Sequence, residues 1–304
     1  MVNYGCEKLG KLRKVLLHKP VNSLKLLNSD NYQYYLFDKV PNTDKFLEEH
    51  DSYANLLKSL GIEVLELADY VVKNKDLIEK LPNLVYMHDS SVITCDGAII
   101  SRMCPGGRHL EDIVVKEALK NLEIPVFYEF DNNDRFEGLL LLSSETILVA
   151  NTERHCIKSI EKFISKALNK FKEVIYVEIP KMRRFMHPDM IFNRISPDLA
   201  LVYPPAFLHT YLITKDKREE IDFSSFMNKR GTELIEISDE EQMLWGSSFV
   251  PLEPDVIINY DISLNAKTKR KLFKRGVKII GFHPNDLLAG GGSLRCLTLR
   301  LLRE

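Results

Sequence analysis

Residues 43–67 read TDKFLEEHDSYANLLKSLGIEVLEL, which contains in order a helix, a turn and a strand. Apolar side chains recur at helical spacing through the first part, with Thr43 as the predicted N-cap and Gly61 as the stop. Residues 62–67 then place Glu63 and Glu66 among four apolar residues, which is close to the alternation of a half-buried strand. A helix that leads directly into a strand is typical of α/β folds, and this class is our prediction.

Four further helix–turn–strand units follow the first along the chain. Their predicted helices lie near residues 108–121, 153–170, 216–230 and 265–275, and their strands at 124–130, 173–179, 231–237 and 276–282. Paired strands between the units are indicated at residues 91–101, 139–150, 199–203 and 256–260. Five units spaced by roughly 45–60 residues favour a circular or stacked array. Because no Pro- or Ser-rich linker interrupts them, we expect residues 1–304 to form one domain.

The first unit is preceded by a strand predicted at residues 11–18 and by a polar, tyrosine-rich segment at residues 21–42. The segment shows no sustained periodicity, which indicates a surface loop. Long loops in compact domains are often functional lids, so we treat residues 21–42 as a candidate lid.

Composition narrows the class of protein and of function. With 45% hydrophobic and 28% charged residues the chain has the balance of a soluble globular protein, and a formal net charge of -1 gives no attraction to nucleic acid or an anionic membrane. The sequence shows neither a signal peptide nor a spanning segment. The five cysteines, at positions 6, 95, 104, 156 and 296, have no CxxC spacing, which argues against disulfides or a zinc site. We expect a cytoplasmic protein without a bound metal.

The last unit is followed by an unusual chain end, GGGSLRCLTLR at residues 290–300. Glycines permit close backbone approach and positive φ, and the apolar alternation after them predicts a strand that carries Cys296. Taken alone, Cys296 is more often a buried core cysteine than a reactive group. Its interpretation therefore depends on the rest of the chain.

Polar residues stand just before the predicted hairpins of three units. They are Asp89, Glu137 and the neighbours His187 and Asp189. Each has an ordinary interpretation by itself, as a turn or cap residue, a solvated loop carboxylate or a structural histidine. In a circular repeat, equivalent positions converge on the axis. We therefore expect all four to share one cavity with Cys296.

This combination of side chains indicates a particular chemistry. A cysteine with a histidine is a nucleophile–base arrangement, and a carboxylate that orients the histidine completes a triad. Two further carboxylates without a metal pattern require a cationic partner, for which a planar guanidinium is the geometric match. A thiolate beside a bound cation is also favoured in its ionised form. The sequence thus predicts attack of a cysteine on the central carbon of a guanidinium.

The chain that carries these residues resembles arginine deiminase and the wider superfamily of guanidino-group-modifying enzymes. The resemblance covers nearly the whole sequence and is carried, in family order, by residues 11–20, 36–41, 49–51, 81–89, 137–138, 152–154, 187–189 and 290–298. It implies a five-bladed α/β propeller of ββαβ repeats, in agreement with the five units. The chain has no room for the extra helical insertion of arginine deiminases.

The resemblance also implies a role for each candidate residue. Cys296 would be the nucleophile, His187 the general acid and base, and Glu137 the group that orients His187. Asp89 and Asp189 would clasp the guanidinium. Three further residues fall where deiminases contact the amino-acid end of arginine, namely Asn83, Arg108 and Arg154.

The implied reaction is hydrolysis of arginine or an arginine derivative to a ureido product through a covalent thiouronium on Cys296, with no cofactor. The expected partners are a small guanidino substrate and a second copy in a possible homodimer, with no nucleic acid and no membrane. Two alternatives stay open. One is an amidinotransferase that passes the same intermediate to an amine, and the other is a non-catalytic binding protein on the same fold.

Two departures from the deiminase pattern concern the amino-acid end of the substrate. Leu139 and Leu140 stand where deiminases continue with glycine and aspartate after Glu137, and Leu288 and Ala289 replace the arginine before the glycines. The reactive residues are therefore all present, whereas the amino-acid clamp is only partly present. Guanidine chemistry is better supported than free arginine as the substrate.

Overall fold

The computed structural model describes residues 3–103 and 106–304, so that Cys104 lies outside the described residues. Its elements alternate between strands and helices, which confirms the α/β class predicted from the sequence. The sheets are open and have three or five strands each. Among the described residues, no helix is both long and apolar enough to cross a lipid bilayer.

The chain forms two compact units, which are named here after the residues of interest that they contain. The cysteine unit holds Cys296 and consists of the residues up to Cys6, Leu12–Asn132 and Phe282–Arg303. The histidine unit holds His187 and consists of Glu7–Lys11, Asn133–Gly281 and Glu304. The single domain expected for residues 1–304 stays a prediction.

Two three-stranded sheets organise the cysteine unit, and each has a central strand with one antiparallel and one parallel neighbour. In spatial order the strands are Leu299–Arg303, Leu12–Leu17 and Glu63–Glu66 in one sheet, and Ser91–Thr94, Gly97–Ile100 and Val126–Glu129 in the other. A parallel neighbour requires a crossover connection, which a helix supplies in both sheets. The helices are Thr43–Ser59, Lys75–Ile78, Glu111–Asn121 and Leu294–Leu297, with 3-10 turns at Ser23–Leu26, Leu67–Tyr70, Pro82–Val85, Met87–Ser90 and Asp286–Gly290.

The first helix, Thr43–Ser59, closely follows its predicted bounds. Gly61 follows it with φ +77°, a left-handed conformation that a glycine adopts without strain, so the predicted stop is confirmed. The N-cap prediction was wrong by one residue. Asn42 caps the helix by accepting the Lys45 N–H at 3.1 Å, because Thr43 is already helical.

The buried face of this helix reaches the chain end that carries Cys296. Phe46, Tyr53 and Leu57 are fully buried. The Tyr53 hydroxyl lies 2.6 Å from the Thr298 hydroxyl, inside the core of the cysteine unit. The first helix therefore fixes the segment two residues beyond Cys296 by a buried polar contact as well as by apolar packing.

Three sheets organise the histidine unit around one apolar cluster. The five-stranded sheet has, in spatial order, the strands Arg218–Glu220, His209–Ile213, Glu173–Glu178, Thr146–Asn151 and Leu140–Leu141. The second sheet has the strands Glu233–Glu236, Leu199–Val202 and Phe192–Ser196. The third has the strands Val250–Glu253, Val256–Tyr260 and Lys278–Phe282. The helices are Ile157–Ala167, Phe223–Lys229, Asp239–Met243 and Ala266–Lys274, with 3-10 turns at Arg183–Phe185, Pro188–Met190 and Pro204–Ala206. All five predicted helix–turn–strand units are thus present along the chain.

The helix predicted near residues 216–230 is only partly helical. Arg218–Glu220 is a strand paired with His209–Ile213, and the helix is confined to Phe223–Lys229. The Thr214 hydroxyl accepts the N–H groups of Asp216 and Lys217, at 3.3 and 3.2 Å, and so closes a turn between the two strands. The first part of the prediction was wrong because this local side-chain bonding competes with helix formation.

Candidate active site

Cys296 lies in the one-turn helix Leu294–Leu297, and the strand predicted to carry it begins only at Leu299. Ser293 precedes the helix, and its hydroxyl accepts the Cys296 N–H at 3.4 Å. The strand prediction was wrong because a serine N-cap starts a helical turn that apolar alternation does not reveal. The Ser293 hydroxyl also lies 3.4 Å from the sulfur of Cys296, which is buried and forms no disulfide. Ser293 therefore contacts both the backbone and the thiol of the candidate nucleophile.

Tyr86 occupies the space that the glycine run leaves open. A β-carbon on Gly290 would overlap the Tyr86 hydroxyl, and one on Gly292 would overlap the edge of its ring. These glycines are therefore required for close packing against a side chain of the protein. Tyr86 was not among the predicted site residues, although it lies only three positions before Asp89.

Asp89 is engaged by a guanidinium of the chain itself. Arg108 Nη1 donates to Asp89 Oδ2 at 2.6 Å, and Arg108 Nε and Nη2 donate to Glu111 Oε2 at 3.0 and 2.8 Å. All three side chains are buried. The structure thus brings together two residues with different predicted roles, since the resemblance placed Asp89 at the guanidinium and Arg108 at the amino-acid end of the substrate. Glu111, which the sequence analysis missed, is three residues from Arg108 and within reach of it on the first helical turn.

Asn83 and the candidate lid contact each other. The buried Asn83 amide donates to the carbonyl of Tyr35, a residue of the segment 21–42. Farther along the segment, the Asp38 N–H donates to the Ala289 carbonyl at 2.8 Å, one residue before the glycine run. The segment is therefore bound to the chain beside the candidate nucleophile loop. Its function as a lid stays a prediction.

His187 and Glu137 form a buried imidazole–carboxylate pair in the histidine unit. His187 Nε2 lies 3.0 Å from Glu137 Oε2, and both side chains are buried. His187 is extended, with φ -132° and ψ 152°, and directly precedes the 3-10 turn Pro188–Met190. A residue before proline is restricted to this region, so the sequence itself fixes the backbone of His187. A buried carboxylate at this distance holds the orientation of the imidazole ring.

Two basic residues surround Glu137. Arg154 Nη1 lies 3.9 Å from Glu137 Oε1, while Arg154 Nε donates to Glu153 at 3.2 Å. His155, which the sequence analysis missed, stacks on Phe136 at a centroid distance of 4.5 Å, and its Nε2 lies 3.0 Å from the Glu137 carbonyl. Burial lowers the pKa of His155 to about 4, so its ring is neutral at neutral pH. Arg154, predicted at the amino-acid end of the substrate, thus lies next to the carboxylate that contacts His187.

Asp189 is held by two consecutive serines. The Ser248 hydroxyl contacts Asp189 Oδ2, and the Ser247 hydroxyl donates to the Asp189 backbone carbonyl at 2.8 Å. Asp189 itself is buried. Sequence reasoning missed both serines because they lie almost sixty positions away and carry no motif.

The residues at the two departures from the deiminase pattern are mostly buried. Leu139 and Leu140 are buried, and Leu140 belongs to the apolar cluster of the histidine unit. Ala289 is buried in the cysteine unit. Apolar side chains cannot bind the charged amino-acid end of arginine.

Among residues 3–103 and 106–304, no three His, Cys, Asp or Glu side chains come together closely enough to hold a metal ion.

Comparison with known proteins identifies this α/β fold as that of guanidino-modifying enzymes. The N-terminal domain of ArgZ, an arginine dihydrolase from cyanobacteria solved with its product, matches with a TM-score of 0.72 at 19% identity, over 94% of this chain and 96% of that one. AgrE in complex with L-arginine matches with a TM-score of 0.73 at 19% identity, over 95% of this chain. This chain spans only 40% of AgrE. At these identities the matches show a shared fold.

Sequence comparison identifies the family. A family model described as arginine deiminase matches residues 69–303, which is most of the chain. The arginine deiminase of Mycoplasma capricolum is 25% identical over 389 aligned positions, which cover 98% of this chain and 96% of that protein. Because the alignment is longer than the 304 residues of this chain, the relative has segments without a counterpart here. The chain belongs to the arginine deiminase family, whose enzyme class is that of C–N hydrolases acting on guanidino groups.

Proposed function

We propose that the protein hydrolyses the guanidino group of arginine or an arginine derivative, with Cys296 as the nucleophile. The observation that carries the proposal is the buried contact of 3.0 Å between His187 and Glu137. An imidazole held by a buried carboxylate is the arrangement that general acid–base catalysis requires. It accompanies a cysteine that the sequence and the family membership both favour as a nucleophile.

The proposed reaction has two stages. The Cys296 thiolate attacks the guanidinium carbon, His187 gives a proton to the departing nitrogen, and ammonia or an amine leaves while a thiouronium remains on the sulfur. His187 then takes a proton from water, and the resulting hydroxide adds to the same carbon. The thiolate leaves as the added hydroxyl gives its proton to solvent and becomes the carbonyl of the ureido product. Asp89 and Asp189 neutralise the cation during both stages. No cofactor is needed, since every group that moves a proton is a side chain of the protein.

We infer that the substrate carries its recognition groups differently from free arginine. Leu139, Leu140 and Ala289 supply no polar side chain where deiminases bind the amino-acid end, and Arg108 and Arg154 both lie beside buried carboxylates. An arginine derivative or a decarboxylated guanidine needs fewer of these contacts. We also infer that the five open sheets correspond to the five propeller blades expected from the sequence.

A substrate screen tests the proposal. Free arginine, agmatine, methylated arginines, guanidino acids and arginine-containing peptides are incubated with the protein, and ureido product and released ammonia or amine are measured. We expect at least one guanidino compound to be hydrolysed. The Cys296→Ser variant should be inactive, whereas Cys95→Ser should remain active because Cys95 is exposed in a hairpin turn.

Two results would redirect the assignment. Full turnover by Cys296→Ser would contradict the mechanism. Transfer of the amidino group to added glycine or ornithine without ammonia release would identify an amidinotransferase, because the same covalent intermediate would then be resolved by an amine. If no guanidino compound forms a covalent adduct with Cys296, a non-catalytic binding protein becomes the best interpretation.

A further inference from the structure

Ser293 is a buried serine whose hydroxyl has two contacts with the candidate nucleophile. It accepts the Cys296 N–H at 3.4 Å, and it lies 3.4 Å from the Cys296 sulfur, within hydrogen-bond distance of that atom. Ser293 is fully buried, and Cys296 exposes only 6% of its surface. The contact with the sulfur is therefore shielded from solvent, where a hydrogen bond to a charged group is stronger than in water.

The two contacts use different parts of the same hydroxyl. Toward the backbone the oxygen accepts the N–H with a lone pair, which does not use its own proton. A neutral thiol is both a weak donor and a weak acceptor, so either Ser293 or Cys296 can then be the donor. A thiolate can only accept. Once Cys296 ionises, a hydrogen bond between the two side chains requires the serine to donate.

The turn that joins the two residues is held by further hydrogen bonds. The Leu297 N–H donates to the Ser293 carbonyl at 3.3 Å, and the Thr298 hydroxyl donates to the Leu294 carbonyl at 2.7 Å. The Tyr53 hydroxyl, which belongs to the first helix, lies 2.6 Å from the Thr298 hydroxyl. Because all of these side chains are buried, the turn keeps the serine hydroxyl against the sulfur.

We propose that the Ser293 hydroxyl donates a hydrogen bond to the Cys296 thiolate, and so favours ionisation of the nucleophile as well as fixing its backbone. On ionisation the thiol proton passes to water, and the serine keeps its own proton. The same bond serves both stages of the proposed reaction, since the thiolate is the nucleophile of the first and the leaving group of the second. This inference rests on the proposed role of Cys296, and it adds Ser293 as a catalytic residue because its hydroxyl touches the reacting sulfur.

Two substitutions of Ser293 separate stabilisation of the thiolate from capping of the helix. Ser293→Ala removes the hydroxyl and with it the cap, whereas Ser293→Gly removes the hydroxyl with little loss of helix stability, because glycine is itself tolerated at an N-cap. Tyr53→Phe is the matched control, since it weakens the support of the same turn without removing a hydrogen bond to the sulfur. Urea unfolding measures the stability of each variant.

Two readouts follow the state of the sulfur directly. The pH at which Cys296 ionises is measured from thiolate ultraviolet absorbance, as the difference between each protein and the same protein with Cys296→Ser. Alkylation of Cys296 by iodoacetamide at neutral pH is followed in parallel by peptide mass spectrometry, with the exposed Cys95 as an internal reference. Neither readout uses a guanidine, so failure of this inference is distinguishable from failure of the proposed hydrolysis.

We expect Cys296 to ionise about one pH unit higher in Ser293→Ala and in Ser293→Gly than in the unmodified protein. Its alkylation should be about threefold slower, because a loss of thiolate of about tenfold is partly offset by the greater nucleophilicity of a more basic sulfur. Tyr53→Phe should lower the urea midpoint and leave the ionisation curve unchanged. Ionisation of Ser293→Gly at the pH of the unmodified protein, or an equal shift in Tyr53→Phe, would overturn the inference.

Discussion

The cysteine unit and the histidine unit hold their polar groups in different ways. In the histidine unit, folding alone brings the His187 ring within 3.0 Å of the Glu137 carboxylate. In the cysteine unit, Arg108 already donates to Asp89 Oδ2, and the Tyr86 hydroxyl has no hydrogen-bond partner among the described residues. The proposed acid–base pair is therefore preorganised, whereas a guanidinium substrate at Asp89 would share that carboxylate with a guanidinium of the protein.

The largest expected effect comes from combining one substitution in each unit. Cys296→Ser and His187→Gln should each reduce turnover by about 10⁴-fold, and the double variant should be no slower than the slower single variant. Substitutions at residues that act together in one reaction have strongly non-additive effects on its rate. Once one of the residues is lost, the other no longer contributes to catalysis, so its removal has no further effect. Initial rates of ureido formation measure this. Multiplicative losses would mean that the two units act in separate steps.

The second prediction concerns the preorganised pair. Glu137→Gln should lower kcat about 100-fold with little change in KM, because an amide neither fixes the imidazole tautomer nor stabilises the imidazolium. Glu161→Gln, which changes an exposed glutamate on the helix Ile157–Ala167, is the matched control and should retain full activity. Steady-state kinetics across the pH range checks the prediction. A Glu137→Gln enzyme with unmodified kcat would show that His187 does not need its carboxylate.

The third prediction compares the two carboxylates assigned to the guanidinium. Asp89→Asn leaves the buried Arg108 with one anionic partner fewer, and we expect the free energy of unfolding to fall by about 3 kcal/mol. Asp189→Asn keeps an oxygen that can accept from the Ser248 hydroxyl and should cost about 1 kcal/mol or less. Urea unfolding at neutral pH measures both values. Equal losses would show that the ion pair with Arg108 is not what distinguishes the units.

The smallest expected effect is a pH dependence of stability. Burial lowers the pKa of His50 in the cysteine unit from 6.5 to about 4, and neither of its ring nitrogens has a partner among the described residues. The unfolded chain therefore binds a proton near pH 6.5 that the folded chain takes up only near pH 4, so stability falls as the pH drops through this window. Between about pH 7 and pH 5, His50 should account for a loss of about 2 kcal/mol.

The replacement His50→Leu removes this loss. An apolar side chain of similar size should leave stability at neutral pH nearly unchanged and flatten the decline at acid pH. His155→Leu in the histidine unit is the comparison. Both of its ring nitrogens lie against carbonyls, at 2.6 Å from Ala150 and 3.0 Å from Glu137, so we expect it to lose stability even at neutral pH. Thermal unfolding at several pH values distinguishes the two variants, and parallel pH curves for His50→Leu and the unmodified protein would refute the assignment.

Local sequence determined the elements of this protein. The apolar stripe before Gly61 and the alternation after it predicted the first helix and strand, and the same pattern predicted the other four units. These features are legible because helices and strands have fixed side-chain periods. Proline after His187 likewise fixed its backbone locally. The candidate residues also followed from sequence, since their types and order carry the resemblance to the arginine deiminase family.

Only the tertiary structure decided which groups meet. The ion pair of Arg108 with Asp89, the two serines at Asp189 and the packing of Tyr86 into the glycine run join residues with no common periodicity. Such contacts depend on packing and on the need of every buried polar group for a partner, which no local pattern encodes. The sequence thus indicated the chemistry, whereas the fold determined which buried charges are paired and which buried hydroxyl, that of Tyr86, has no hydrogen-bond partner among the described residues.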